Sequence, residues 1–228
     1  MLREIGPGIA VAEMPLKLMG INFGARMTVM TMATGELLLH SPVALSPELK
    51  TAVDRMGRVA HVVIPSTHHH LFAKPWIAAY PGVRVHTVAE LVAKRPEFSA
   101  ANLLSIGTPS PWGQEIDVVV VRGSRIYAEA VLFHRSSGTL VATDLVFNIQ
   151  RAERWLDRIA FQLYGMYGVF GPTRLERLLL RDRSHARAAI ERMAQWPIKR
   201  VVMAHGDVRD PTTPAEWRAV FAWLEKNR

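Results

Sequence analysis

Three consecutive histidines, His68, His69 and His70, follow the apolar run Val62-Val63-Ile64 with only Pro65, Ser66 and Thr67 between. Imidazole is the commonest metal ligand, and its ordinary pKa lies within the physiological range, so such a cluster can hold an ion or move protons. Two later apolar runs end in the same way. Leu140-Val141-Ala142-Thr143 leads to Asp144, and Val201-Val202-Met203-Ala204 leads to His205, Gly206 and Asp207. Imidazoles with a carboxylate are the donor set of a catalytic zinc site, in which three protein ligands leave one position for water. The candidate ligands are His68, His69, His70, Asp144 and His205, and the chemistry they could support is metal-assisted hydrolysis.

Which of the three neighbouring histidines serve depends on the local backbone. In an extended loop, residues two apart point the same way, so His68 and His70 share one ion and His69 turns outward. An early start to the next helix changes that grouping. Asp144 has an alternative role as a cap for Leu145–Asn148. Glu129 interrupts an otherwise apolar strand, and alternation turns it toward solvent. Asp207 is spaced either to orient His205 or to serve a turn. Among the remaining histidines, His61 and His134 read as structural, His86 and His185 as surface or helix-start positions, and His40 as either.

The elements that must position these groups can be read from apolar periodicity and capping residues. Ile9–Glu13, Met27–Met32 and Glu36–His40 read as strands, and Ser46-Pro47-Glu48 opens a helix that ends near Gly57. Val59–Ile64 is a strand buried on both faces, stopped by Pro65. Phe72–Tyr80 reads as helical and Val83–His86 as a strand, and Thr87-Val88-Ala89-Glu90 forms a capping box. Residues 96–114 carry prolines and glycines without a period, which fits a long loop serving as a wall or lid of the site. Ile116–Val121, Ile126–His134 and Thr139–Thr143 form a meander that ends at Asp144. The spacing of Trp155, Ile159 and Leu163 within Arg151–Tyr167 predicts an amphipathic helix that covers a sheet, as does Asp182–Trp196. Thr213-Pro214-Ala215-Glu216 opens a terminal helix after the strand Val201–Ala204.

Composition narrows the alternatives. The chain has 228 residues, enough for one domain spanning 1–228, and no apolar run reaches the roughly 20 residues of a membrane span. The expectation is a cytoplasmic protein without a membrane partner. With no cysteine, any metal is left to imidazole and carboxylate. The 28 Lys+Arg against 20 Asp+Glu give a net charge of +8, which admits an anionic small-molecule substrate. Basic residues are not interleaved with aromatics as in a single-strand groove, so nucleic acid is the weaker expectation. Much of the excess is arginine between Arg151 and Arg200, which reads as solvated helix faces.

The order of these parts resembles the metallo-β-lactamase superfamily: strand, histidine-rich loop, helix, a strand ending in Asp, and a strand ending in His-Gly. The resemblance covers nearly the whole chain and implies an α/β four-layer αββα sandwich with a metal site at one edge. Asp144 in Thr-Leu-Val-Ala-Thr-Asp then matches the bridging aspartate, and His205 in Val-Val-Met-Ala-His-Gly the last histidine. The segments around Arg26–Pro42, Pro65–Phe72 and Ala142–Asn148 are similar to an uncharacterised branch of the superfamily, a domain of unknown function. Thr67-His-His-His-Leu-Phe72 departs from the usual H-x-H-x-D-H loop by lacking its aspartate, and no histidine stands near Gly123-Ser124-Arg125, where Glu129 is the nearest possible ligand. The resemblance implies zinc or another divalent metal, one ion or two. His70 stands where the missing aspartate would act as general base, and with Asp144 it forms the expected catalytic pair. The competing expectation is a catalytically inactive member of the fold that binds a small ligand or a protein.

Overall fold

The computed structural model describes residues 1–124 and 127–225. The chain runs through β1 (Leu2–Gly6), β2 (Ile9–Met14), a ribbon of β3 (Lys17–Leu18) and β4 (Ile21–Asn22), then β5 (Ala25–Thr31), β6 (Glu36–His40) and α1 (Pro47–Asp54). It continues with β7 (Arg58–Ile64), α2 (Ala73–Ala79), β8 (Arg84–Thr87), α3 (Ala89–Lys94) and β9 (Asn102–Leu103). A hairpin of β10 (Ile116–Ser124) and β11 (Tyr127–His134) leads into β12 (Thr139–Val141) and β13 (Phe147–Asn148). The remaining elements are α4 (Trp155–Tyr164), β14 (Phe170–Gly171), α5 (Arg174–Leu179), α6 (Arg183–Met193), β15 (Arg200–Val202) and α7 (Pro214–Val220). Ile126, where the sequence places the start of the second hairpin strand, lies outside the described residues.

Two sheets carry the architecture. One has the order β1-β2-β5-β6-β7-β8-β9 and the other β10-β11-β12-β15. They face each other. Ile116, Val120, Ala130, Leu132 and Val141 of the second sheet share a core with Val29, Leu38, Val62 and Ile64 of the first. Residues of opposite parity, Val119, Val121, Val131 and Phe133, instead pack with Ala186, Ile190 and Met193 of α6 and Trp217 of α7. Helices α1 to α3 add Val53, Trp76 and Leu91 to the first core. Helix, sheet, sheet and helix therefore form the four layers of the metallo-β-lactamase fold.

Both faces of β11 are covered, and all eight of its residues are buried. A strand in that position carries no solvent face, so alternation does not apply to it. Trp76 shows how the helices are fixed: its ring is fully buried, and its indole N–H donates to Val43 O at 2.7 Å. Truncation of such a residue costs about 3–5 kcal/mol.

Several local expectations change. The helix starts at Ser46 and Thr213 form as capping residues predict, the latter with a complete capping box. Thr87 does not cap α3. Its hydroxyl donates to Ile64 O at 2.8 Å, and Glu90 pairs with Arg122, because Thr87 still belongs to β8. His86, expected at the surface, is buried in the same strand, where its ring meets His61 and Trp112. Trp112 comes from the segment expected to wall the site, so residues 96–114 cover this far corner instead. The stripe Trp155, Ile159 and Leu163 does not cover a sheet either; all three side chains are exposed, while Asp157 and Phe161 of α4 face inward.

Candidate metal centre

Strand register brings the first two groups together. β12 and β15 are parallel neighbours with Val141 opposite Val202, so Asp144 and His205 each lie three residues beyond a matched pair. β7 supplies the third contribution from the facing sheet. Pro65 and Ser66 are still tied to β11, with Pro65 O accepting from Ala130 N at 2.8 Å and Ser66 bridging Glu129. From Thr67 to Phe72 the chain then bends and turns into α2.

That turn reverses the expected grouping of the histidines. His69 points inward, its Nε2 3.1 Å from Asp144 Oδ1, and His205 Nε2 lies 3.3 Å from the same oxygen. His68 stands at the rim, its Nδ1 3.9 Å from Asp144 Oδ2. His70 faces away: Arg95 Nε donates to its Nε2 at 3.2 Å, and its ring meets Phe98 edge-on. Alternation fails here because the loop is coiled. One ligand atom from each of His69, Asp144 and His205 lies within 4.8 Å of the others, and these are the metal-capable cluster among the described residues.

The other ring nitrogens are held as ligand geometry requires. His205 Nδ1 lies 2.9 Å from Gly24 O, which has no proton to give, so Nδ1 is the donor. In the neutral ring Nε2 then presents a lone pair to the Asp144 carboxylate. Two acceptors at 3.3 Å need a proton or a metal ion between them. His69 Nδ1 meets Ser41 Oγ at 2.8 Å. Ser41 is buried with φ at 53°, a left-handed backbone that is costly for a non-glycine residue and recurs at functional sites. Burial alone pushes the His69 pKa down, but the charge of Asp144, its hydrogen bond and the charge of Glu129 raise it overall. Burial pushes Asp144 up, yet His69 and His205 hold its carboxyl well below the usual range. The donor set fits a three-ligand metal site with room for a further ligand.

Neighbouring residues fix this geometry. Glu129, expected to face solvent, is fully buried and accepts from Thr143 N at 2.5 Å and Asp144 N at 2.9 Å. Burial and the Asp144 charge push its pKa up to about 7. Tyr127 donates its hydroxyl proton to Glu129 at 3.2 Å. Asp207 does not orient His205. Its N–H donates to Asn148 O, and the Asn148 side chain donates to Asp207 O. Gly206 between them must be glycine, because at φ 87° an added Cβ would lie 2.3 Å from Asn148 O. Arg26 of β5 binds the carbonyls of Met203 and Gly206 on either side of His205, and Glu13 balances its charge at 2.6 Å. The His205 ring stacks on Phe147 with centroids 5.6 Å apart.

A cavity of about 350 Å³ opens over the cluster, lined by His68, His69, Asp144 and His205 and otherwise largely by apolar side chains such as Phe23 and Met166. Glu176 also reaches it, and burial pushes that carboxyl up to about 7. His40 lies buried behind His69 with its pKa lowered to about 3, first by burial and then by the His69 charge, and has a structural place. The sequence gives no sign of Ser41, Gly24 or Glu176, and it singles out Glu129 but turns it toward solvent.

Comparisons with known proteins agree with this fold. Residues 11–163 match the family described as Domain of unknown function (DUF4336). A search of curated proteins found no match. Among solved structures, the metallo-β-lactamase from Pontibacter korlensis superposes with a TM-score of 0.65 at 16% identity, covering 100% of this chain and 99% of that one. The metallo-β-lactamase from Hirschia baltica gives a TM-score of 0.64 at 11% identity, covering 100% and 98%. The metallo-β-lactamase FIM-1 from Pseudomonas aeruginosa, in its mono-zinc form, gives 0.64 at 10% identity, covering 98% and 93%. At such identities the likeness is one of fold.

Proposed function

The chain belongs to the DUF4336 family and has the metallo-β-lactamase fold, and from this premise we propose that it is a hydrolase using one divalent ion held by His69, Asp144 and His205. The observation that carries the reading is the meeting of three donors from three separate loops beneath an apolar cavity, with the second nitrogen of each histidine already engaged. Zn²⁺ suits two imidazoles and a carboxylate, and a relative of the same fold is described in a mono-zinc form.

When bound, such an ion supplies Lewis acidity, enough to make water a nucleophile near neutral pH. The protein's own groups do the rest. Asp144 provides the negative charge, and the two N–H groups bound by Glu129 fix its loop. Gly24 O holds His205 in the tautomer that presents Nε2. Glu176 faces the cavity with a carboxyl titrating near 7, which suits a group exchanging a proton with substrate. That role replaces the one expected of His70, whose imidazole is committed to Arg95.

Untagged protein prepared without chelator is expected to contain close to one equivalent of divalent metal and to hydrolyse at least one of an ester, thioester, lactone or phosphodiester panel. Chelation should abolish turnover, and metal should restore it. A metal-free preparation that takes up neither zinc nor manganese would sink this reading. Tight metal binding without turnover of the panel would favour the non-catalytic ligand-binding alternative.

A further inference from the structure

We propose that this protein docks peripherally on an anionic lipid bilayer through the outer face of α4 and the rim of the metal-site cavity, and that the cavity receives an amphiphile from that surface. The second clause rests on the proposed hydrolase reading, while the docking does not.

Exposed apolar residues are concentrated around one opening. Among the described residues, every large hydrophobic that is exposed lies at this cavity or on the chain from Trp155 to Leu178, apart from Met1, Leu103 and Ile106. Leu18, Met19, Leu71, Tyr164 and Leu175 line the cavity and are themselves exposed. Trp155, Ile159 and Leu163 recur every four residues along α4, with Trp155 70% and Leu163 71% exposed. An isolated exposed leucine is ordinary, but a contiguous group around a cavity mouth marks an interaction site. Helix α4 is not loose. Phe161 packs with Phe147, Ile149 and Met166 beneath it, and Arg154 at its start donates to Gly20 O in the β3–β4 ribbon at 3.1 Å. The stripe is therefore presented rigidly beside Met19 and Leu18.

The charge around this face selects the occupant. On the chain from Arg151 to Asp182, which carries this face, Arg151, Arg154, Arg158, Arg174, Arg177 and Arg181 are exposed, Arg158 and Arg177 lying over the rings of Tyr167 and Trp223, against Glu153 and Asp182 as exposed acids; Asp157 and Glu176 are buried. None of the six arginines is ion-paired with a carboxylate among the described residues. A second copy of the same face would set arginine against arginine, which is unfavourable for self-association. Apolar side chains with arginines alongside suit a layer whose interior is hydrocarbon and whose surface is anionic, with the apolar face sinking about 5–10 Å and guanidinium groups meeting headgroup phosphates. No described helix is long and apolar enough to cross a membrane, so the association is at the surface. The apolar cavity lining then continues the hydrocarbon environment inward to His69, Asp144 and His205.

The test is flotation of the untagged full chain with vesicles of phosphatidylcholine alone and with about one-third phosphatidylserine. Flotation with the anionic vesicles, weakened by salt, is expected, with a blue shift of tryptophan emission that Trp155→Phe largely removes. The surface variant Trp155→Ser/Ile159→Ser/Leu163→Ser should keep its circular dichroism and metal content and partition at least about tenfold less. Failure of the wild type to float with anionic vesicles would overturn the proposal. So would equal flotation of the triple variant, or a dimer in sedimentation velocity that this variant dissolves, which would assign the face to a second copy. Flotation without turnover would reject the hydrolase reading alone, and chelator-sensitive turnover without flotation would reject the docking alone.

Discussion

The carboxylate of Glu129 lies directly behind Asp144, accepting the backbone N–H of that residue at 2.9 Å and that of Thr143 at 2.5 Å. A buried acid thus holds the loop that presents another buried acid, and their mutual repulsion is offset by the two donors and by His69. Glu129→Ala leaves two N–H groups without their partner, which costs about 2–6 kcal/mol of stability, since each unmet buried donor costs roughly 1–3 kcal/mol. Metal affinity should fall about 10–100-fold, as for other residues that orient a ligand. Glu129→Gln retains an acceptor oxygen and should lose less of both. Denaturant unfolding and metal titration check this, and wild-type affinity in Glu129→Ala would exclude an orienting role.

Replacing the three clustered donors one at a time separates them from their neighbours. His69→Ala, Asp144→Ala and His205→Ala should each weaken metal binding by at least about 100-fold, more than the loss of an orienting residue. His70→Ala should leave affinity within about threefold of wild type, because its Nε2 is engaged by Arg95 away from the cluster. His68→Ala, with its nitrogen 3.9 Å from Asp144, is expected between the two. Equilibrium competition against a fluorescent zinc chelator reads all five on one scale. A His70 variant that lost metal as completely as the Asp144 variant would contradict the assignment.

How much of this was legible in the sequence depends on which force fixed each residue. Asp144 and His205 are legible because each ends a continuous apolar run, and parallel pairing carries two such ends to one edge. The inward turn of His69 is not legible, because it depends on bends between Thr67 and Phe72 that no periodicity records. Alternation misplaces Glu129 for a different reason. Alternation assumes one wet face, and β11 has none. Trp155, Ile159 and Leu163 show the converse. Their spacing specifies a helix with an apolar stripe but says nothing of what covers it.

Ser41 joins backbone strain to the site, and two substitutions separate the contributions. Ser41→Ala keeps a side chain at φ 53° and loses the contact with His69 Nδ1, whereas Ser41→Gly loses the same contact and relaxes the backbone. Both should bind metal roughly tenfold more weakly, because His69 loses its orienting partner. Ser41→Gly should be more stable than Ser41→Ala by about 1 kcal/mol, the lower end of the cost of a strained residue. Equal stability of the two variants would show that the local conformation is not strained, and undiminished affinity in both would show that the hydroxyl does not orient His69.

The buried pair His61 and His86 makes stability depend on pH at a place remote from the metal site. Arg84 donates to His61 Nε2 at 3.0 Å, so in the neutral ring Nδ1 carries the proton and donates to His86 Nε2 at 2.9 Å. Both acceptor nitrogens are thereby occupied, and a further proton on either ring breaks the chain. Burial, followed by the Arg84 charge, lowers His61 to about 4, and burial followed by the His61 charge lowers His86 to about 4. In the unfolded chain both titrate near 6.5, so between about pH 6.5 and 4 the unfolded state binds more protons and acidification favours unfolding. The stabilisation is complete above the unfolded value and is lost as pH falls through the folded one. Each histidine that stays neutral contributes a slope of at most about 1.4 kcal/mol per pH unit. His86→Gln keeps an acceptor for His61 and removes one titrating group. Urea unfolding between about pH 7.5 and 4.5 should therefore show a shallower loss of stability in His86→Gln than in wild type. Parallel curves would mean that His86 is already protonated in the folded protein, and that this corner of the sheet tolerates the charge.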